Sequence, residues 1–530
     1  MKVNRREFLE QAGWGALQLG LVGYLANSAW AEPSKASRLP RAAPEAQGVK
    51  SSGIFDFVRA VEDDKLNLHS LMVLRHGKVV AEGWWAPYQS GLKHTLYSLS
   101  KSFTSSAVGL AVGEGRLTVD DKVASFFPND VPSVIGEKLG KMRVRDLLTM
   151  STGHAKDSTP ALRESGGKNW VKSFLAQPVE HDPGTFFVYN SGATYMLSAI
   201  IEKVTGQTLI QYLTPRLFKP LGIEGMDWEV DPNGINTGGW GLRVKTEDIA
   251  KFGQMYLQKG VWNGKKILSE SWVSEATSKH IQSKGGSAKQ EDNDWQQGYG
   301  YQFWRCRHEA YRGDGAYGQY CIVMPEQDMV VAITSETGNM GAILNHVWNH
   351  VLPAVSNSEL PAGKLAQEAL RQQLARLAVP VPFGSSTSGV AARISDKTFD
   401  IADNALKVSR VSLAFKADAC TFTMSDDKGT HQVNCGVGKW ITGQTDLSTT
   451  PLKLVLTPVP GEVTTKIAAN GIWRDENTFE MTWRFIETAH YQTVRCVFED
   501  DGLSVEFRRS LAILGNSKDP RPILHGKLTT

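Results

Sequence analysis

The sequence predicts an α+β fold in two parts. The first is a domain whose sheet draws strands from both of its ends, with helices and a helical subdomain between them. The second is a small all-β barrel or sandwich. Three observations predict this. Strand-like runs lie near residues 71–85 and again at 299–334, with helical periodicity between them. A proline-, glycine- and serine-rich stretch interrupts the chain at 380–389. Beyond it, apolar residues recur with period two. A length of 530 residues suits two folded domains, and 41% hydrophobic with 21% charged residues is a globular composition. The formal charge of +3 and the lack of a long basic block argue against a nucleic-acid partner.

Residues 1–31 read as a leader rather than as part of the fold. Arg5-Arg6 precedes Phe8-Leu9, a glycine-containing and weakly apolar segment follows, and Ala29-Trp30-Ala31 is a small-x-small cleavage site. This resembles a twin-arginine export signal and implies a periplasmic mature chain. The alternative, an uncleaved anchor, needs a longer and more apolar run. No later segment is long and apolar enough to span a bilayer.

The mixed domain is expected over 43–355. Leu71–Trp85 gives two strands around His76-Gly77-Lys78, and a helix is expected from Ser98 to Glu114, closed by Gly115. Val144–Met150, Ala193–Val204 (closed by Gly206) and Thr246–Leu257 (Thr246 as N-cap) read as amphipathic helices. Strands return at Tyr299–Arg305, Tyr317–Met324 and Met329–Thr334. Residues 356–390 hold a helix, Lys364–Leu377, and then the Gly/Ser linker. The β domain is expected over 391–530, where Phe479, Met481, Trp483 and Phe485 alternate with polar residues. Trp440, Trp473 and Trp483 are expected in its packing rather than on a binding face.

Five cysteines, Cys306, Cys321, Cys420, Cys435 and Cys496, make an odd count. Cys420 and Cys435 are symmetric about a turn at Asp426–Gly429, and Cys306 and Cys321 flank another possible hairpin. A periplasmic location permits disulfides, yet buried free thiols are expected for both pairs. No Cys/His spacing suits zinc.

The chemistry is expected at Tyr97–Gly109, YSLSKSFTSSAVG. Ser98 and Lys101 stand three residues apart, so on a helix they share a face and the amine reaches the hydroxyl. A helix start adds partial positive charge, which favours an oxyanion and lowers a lysine pKa, and such a lysine can deprotonate serine. The same spacing occurs at Ser90/Lys93 and Ser425/Lys428, but only Ser98 leads into an apolar-periodic run of Phe103, Val108, Leu110 and Val112. The competing reading makes Ser98 a helix cap and Lys101 a solvated side chain.

Two further elements bear on it. Tyr189-Asn190-Ser191 lies after a Pro-Gly turn and before a helix, and a tyrosine beside a lysine suits a proton relay. Arg312–Gln319, RGDGAYGQ, heads the strand at Tyr317–Met324, where Gly313, Gly315 and Gly318 would admit a substrate close to an edge strand.

Together these three ordered motifs resemble the serine β-lactamase and penicillin-binding-protein superfamily, most closely its esterase-like class C relatives. The resemblance covers about Ala43–Pro353, including LLTMSTGH (Leu147–His154), PRLFKPLGI (Pro215–Ile223) and GGWGLRVKTEDIAKFG (Gly238–Gly253). It implies an antiparallel sheet flanked by helices and an acyl-enzyme on Ser98, with Lys101 and Tyr189 as the general-base pair. It also implies the Ser98 and Ala316 N–H groups as oxyanion hole, with Asn190, Ser191 and Gly315 on the substrate side. Two departures stand out. Gly313 occupies the position where lactam-processing members carry Lys or His, with Arg312 just before it, and Ser191 stands where class C relatives carry Asn. Both favour an esterase or amidase over a β-lactamase or transpeptidase. A D-amino-acid peptidase and a slowly deacylating ligand sensor are the rival readings. The expected partner is a small ester, amide or short peptide, with no cofactor and no metal, since HExxH and Walker-type patterns are absent, as is Gly-x-Ser-x-Gly.

Overall fold

The computed structural model describes residues 38–164, 169–285, 289–447 and 453–529; the expected leader lies outside them. Four helices matter most for the site: α1 (Ser51–Asp63), α2 (Ser100–Gly113), α3 (Ser191–Thr205) and α4 (Thr246–Leu257). The first domain's sheet holds β1 (Leu68–Arg75), β2 (Lys78–Trp84), β3 (Trp304–Arg305), β4 (Tyr311–Gly315), β5 (Gln319–Met324) and β6 (Met329–Ser335), in the order β2-β1-β6-β5-β4-β3. All pairings are antiparallel. N- and C-terminal strands therefore meet at the centre, where Val73 lies opposite both Val331 and Ala81.

Alternation along the strands gives the sheet two apolar faces. Met72, Leu74, Cys321, Val323 and Ala332 pack under α2, α3 and α4, with Phe103 stacked on Phe252 at 3.9 Å. Leu71, Val73, Tyr320, Ile322 and Val331 pack against Ile54, Phe57 and Val58 of α1. Each such fully buried side chain contributes roughly 1.5–3 kcal/mol. No helix among the described residues is long and apolar enough to cross a membrane.

The C-terminal domain is a barrel rather than a sandwich. Its strands are β7 (Thr398–Ile401), β8 (Arg410–Lys416), β9 (Ala419–Asp426), β10 (Gly429–Val437), β11 (Ile441–Thr445), β12 (Thr465–Trp473), β13 (Thr478–Phe485), β14 (Tyr491–Glu499), β15 (Gly502–Arg509) and β16 (Leu524–Leu528). Nine of them form a ring, β10-β9-β8-β7-β16-β15-β14-β13-β12, and β11 pairs outside it with β12. The ring closes through a parallel pairing of β10 with β12, Gly436 to Asn470 and Val437 to Gly471. Closure removes the open edges an antiparallel sheet would expose. Trp473 and Trp483 fill the interior, while Trp440 sits partly buried against the first domain.

Several expectations shift by a few residues. The helix at Thr246 begins there, so the cap position is Lys245, whose N–H is received by Asp248 at 3.1 Å. Of Tyr299–Arg305 only Trp304–Arg305 is strand. The run RGDGAYGQ does not head one strand: Tyr311–Gly315 is itself β4 and Ala316–Gly318 is the turn into β5. All five cysteines are buried and free. Cys420 and Cys435 do face each other across β9 and β10, whereas Cys306 and Cys321 lie on opposite faces of the first sheet.

Candidate active site

A short 3-10 turn, Tyr97–Leu99, feeds directly into α2 and carries Ser98, which is half-buried. Lys101 lies on the first turn of α2 and is 1% exposed. Its Nζ donates to Ser98 Oγ at 3.0 Å, to Ser191 Oγ at 3.0 Å and to the Gly239 carbonyl at 2.7 Å. An ammonium has three protons, and all three meet uncharged oxygens. Without a carboxylate in contact, burial dominates and pulls the Lys101 pKa down to about 7; Asp157 and Asp314, further off, oppose it. The competing solvated-lysine reading therefore does not describe this residue. At the other two matches, Lys93 pairs with Asp227 and Lys428 sits in an exposed hairpin turn.

Tyr189 reaches the same place from the loop before α3. Ser98 acts on its hydroxyl, favouring the phenolate slightly, and the Lys101 ammonium stands 4.9 Å from its ring centroid. The ring stacks on Trp304 at 5.3 Å and meets Tyr299 edge-on at 6.2 Å. Burial first, and Asp314 second, push its pKa well above the usual phenol value, so it stays protonated.

Asn190 explains how that loop is held. Its Oδ1 receives the N–H groups of Gly192 and Ala193 at the start of α3, together with the N–H and hydroxyl of Ser158. Fully buried, Asn190 caps the helix instead of lining the cleft. Ser191, next in chain, is fixed by its N–H to Asp157 Oδ1 at 3.1 Å and turns its hydroxyl to Lys101.

The remaining walls come from two glycine-rich segments. Gly238-Gly239-Trp240-Gly241 passes beside α2, where Gly238 and Gly241 have φ of 64° and 90°. A Cβ at Gly239 would stand 2.9 Å from the Ser191 carbonyl, so only glycine lets its own carbonyl reach Lys101. On the other side β4 lies against the nucleophile turn. A Cβ at Gly315 would sit 2.0 Å from the Leu96 carbonyl, and one at Gly313 2.4 Å from Leu99 Cδ1. These glycines admit the turn that carries Ser98; β3 pairs with β4 only at Tyr311 and Arg312 and does not extend over Gly313–Gly315. Ala316 follows, half-buried, its carbonyl held by Gln319 Nε2 at 3.0 Å.

Arg312 and Asp314 alternate onto the opposite face of β4. Arg312 is fully buried, pairs with Asp314 at 2.9 Å, donates to the Asp294 carbonyl at 2.8 Å and stacks over Trp295 at 4.6 Å. Its charge is spent inside the fold and is not presented to the cleft. Ser98, Lys101, Tyr189 and Ser191 thus converge; Asn190, Gly313 and Gly315 support them from behind. Sequence reasoning assigned no role to Gly239, Asp157 or Trp304. Only the first had a legible signal, the glycine cluster around Trp240.

Comparison with known proteins bears on the family and the fold. A "6-aminohexanoate-dimer hydrolase" of Paenarthrobacter ureafaciens is 27% identical over 286 residues, covering 49% of this chain and 71% of that one. A "Putative D-alanyl-D-alanine carboxypeptidase" of Escherichia coli (strain K12) is 29% identical over 142 residues, covering 24% of this chain and 33% of the relative, so only a third of that protein is spanned. Among solved structures, a "Putative 6-aminohexanoate-dimer hydrolase from Bacillus anthracis" superposes with a TM-score of 0.50 at 20% identity, over 61% of this chain and 89% of the other, a likeness of fold. The family model described as Beta-lactamase matches residues 59–347, more than half of the sequence and every residue of the site just described, and the chain belongs to that family.

Proposed function

We propose that the protein is a serine hydrolase that cleaves ester or amide bonds of small substrates through an acyl-enzyme on Ser98. The observation that carries this is Lys101: buried, touching Ser98 Oγ at 3.0 Å, its pKa drawn down by burial to about 7. Neutral Lys101 takes the Ser98 proton as Oγ attacks the carbonyl carbon. The N–H groups of Ser98 and Ala316 donate to the tetrahedral oxyanion, worth about 3–4 kcal/mol per donor. Tyr189, held protonated, gives its proton to the leaving oxygen or nitrogen and recovers one from Lys101, which returns to its neutral form. Water then attacks the acyl carbon with Lys101 again accepting the proton, and as the bond from that carbon to Ser98 Oγ breaks Lys101 returns the proton to Oγ, releasing the acid and restoring the enzyme. Ser191, fixed by Asp157, orients the amine.

Arg312, buried against Asp314, is not available to meet a substrate carboxylate. That supports neutral esters and internal amide bonds, and the name of the Paenarthrobacter relative supports linear amides of amino acids in particular. The name of the Escherichia relative favours a second reading, a D-amino-acid carboxypeptidase. The Arg5-Arg6 leader supports a periplasmic site of action for either.

The test is the intact mass of the mature protein after a fluorophosphonate probe, beside Ser98→Ala. One phosphonyl adduct on wild type and none on the variant is the expected result; an unlabelled, folded wild type would overturn the proposal. Turnover of short acyl esters, linear amides, D-Ala-D-Ala peptides and nitrocefin then ranks substrates, and preference for the D-Ala peptides would install the second reading.

A further inference from the structure

The residues flanking the nucleophile are gripped from the C-terminal barrel. Tyr97 and Tyr317 are both non-glycine residues in the left-handed region, with φ of 46° and 67°. Tyr97 immediately precedes Ser98, and Tyr317 immediately follows Ala316. Bulky residues hold such angles only where their surroundings over-determine them. Here one side chain touches both: His490, from the loop between β13 and β14, buried to 1% exposure. Its ring lies 5.7 Å from that of Tyr97 and 5.1 Å from that of Tyr317, and the two tyrosines meet edge-on at 6.0 Å.

The hydrogen bonds form a chain that the ring contacts of Tyr317 with Tyr97 and His490 close into a circuit. Tyr97 Oη receives the Leu454 N–H at 3.3 Å, a second contact from the barrel side, and bonds His490 Nε2. The other ring nitrogen, Nδ1, meets Glu336 Oε1 at 2.6 Å, and Ser510 of the barrel donates to the same oxygen. A carboxylate at Nδ1 fixes the proton there, which leaves Nε2 to accept from Tyr97. Glu336 directly follows β6, and its two chain neighbours hold the far side of the circuit. Thr337 N–H and Ser335 Oγ both donate to the Tyr317 carbonyl, at 3.1 and 2.7 Å. The backbone of the barrel loop adds Glu487, whose carbonyl receives the Thr95 N–H at 3.1 Å.

We infer that His490 is a positioning residue of the active site: through Tyr97, Tyr317 and Glu336 it fixes the two backbone turns that carry Ser98 and Ala316, so that the C-terminal barrel is needed for acylation. This rests on the reading of Ser98 given above. It gives the barrel a role in the chemistry that does not require any of its described residues to touch a reacting atom.

The test uses the full chain with His490→Phe, which keeps a ring but no hydrogen bond, and His490→Gln, whose amide restores one acceptor and one donor. Tyr97→Phe removes the same bond from the other side and serves if the histidine variants do not fold. Two readouts are taken: the rate of fluorophosphonate labelling per folded molecule, and amide exchange in peptides spanning 96–104 and 314–320. His490→Phe and Tyr97→Phe should each label about 100-fold more slowly, in the range for a displaced oxyanion donor. The double variant should be no slower than either single one, and His490→Gln should recover most of the rate. Exchange in both peptides should quicken in His490→Phe at an unchanged melting temperature. A His490→Phe or Tyr97→Phe protein that labels at the wild-type rate would overturn the inference, whatever its exchange. A wild type that takes no label overturns the Ser98 reading instead, and the clamp then stands or falls on the exchange alone.

Discussion

Two lysines in this molecule are buried almost equally, Lys101 at 1% exposure beside the nucleophile and Lys453 at 4% in the joint between the domains. Their surroundings differ in one respect. Lys453 donates to the Glu229 carboxylate at 2.8 Å and to the Thr457 carbonyl at 3.3 Å, and Thr457 Oγ1 donates to the same carboxylate. Lys101 has three neutral oxygens and no carboxylate. In the joint two opposite charges share the desolvation, so each keeps a partner that repays part of it. Glu229 still feels burial, which pushes its pKa up while Lys453 and Thr457 pull it back. At the nucleophile no carboxylate touches the ammonium, and Asp157 and Asp314 offset only part of the desolvation from further off, so its proton is loosely held. The same residue type becomes a tie in one place and a base in the other, and the acceptor set decides which.

The largest break in that comparison is Lys101→Met. Acylation of Ser98 should fall by about 10⁴-fold, the upper range for removing a general base. The melting temperature should hold or rise, because a buried cation without a counter-charge is lost; a large drop in melting temperature would make Lys101 a structural group like Lys453. The reciprocal change, Lys453→Met, should leave the labelling rate per folded molecule within a few-fold of wild type. Stability, read by denaturant unfolding, should fall by about 3–5 kcal/mol because Glu229 is left charged and unpaired. Adding Glu229→Gln should return much of that loss.

Smaller effects sharpen the picture. Tyr189→Phe should slow acyl transfer about 10²-fold while sparing substrate binding, the mark of a lost proton relay, read as kcat against KM. The pH dependence is smallest. Lys101 acts as base only when deprotonated, so labelling should rise about tenfold per unit below a midpoint near pH 7 and level off above it. Tyr189 titrates far above that range and should add no alkaline limb. A profile flat from pH 5 to 8 would mean that Lys101 is not the group being titrated.

Most of the architecture could be read in advance because it is written in local periodicity. The hairpin at His76-Gly77, the helix behind Ser98, the capped helix ending at Gly206 and the alternation of Phe479, Met481, Trp483 and Phe485 each depend on residues within a turn or two of one another. The misreadings cluster where a local pattern meets a tertiary neighbour. Gly313 and Gly315 looked like room for a substrate; their missing side chains make room for Leu99 and the Leu96 carbonyl. Arg312, just before the position where the family's cleft cation is missing, is turned by strand alternation to Asp314 and Trp295. Asn190 sat within a motif tied to substrate contacts and is a helix cap.

What the sequence determined by itself was the set of elements, the family, and the Ser98/Lys101 pair, since a separation of three residues on a helix sets their meeting without help from the rest of the chain. Tertiary structure decided what surrounds that pair. The Gly239 carbonyl on Lys101, the barrel closure through β10 and β12, and the bond from Tyr97 to His490 span 138, 34 and 393 residues of sequence. No periodicity reaches that far. Whether Lys101 is neutral, and whether the turn at Ser98 is held, depends on burial and on acceptors that only packing brings together.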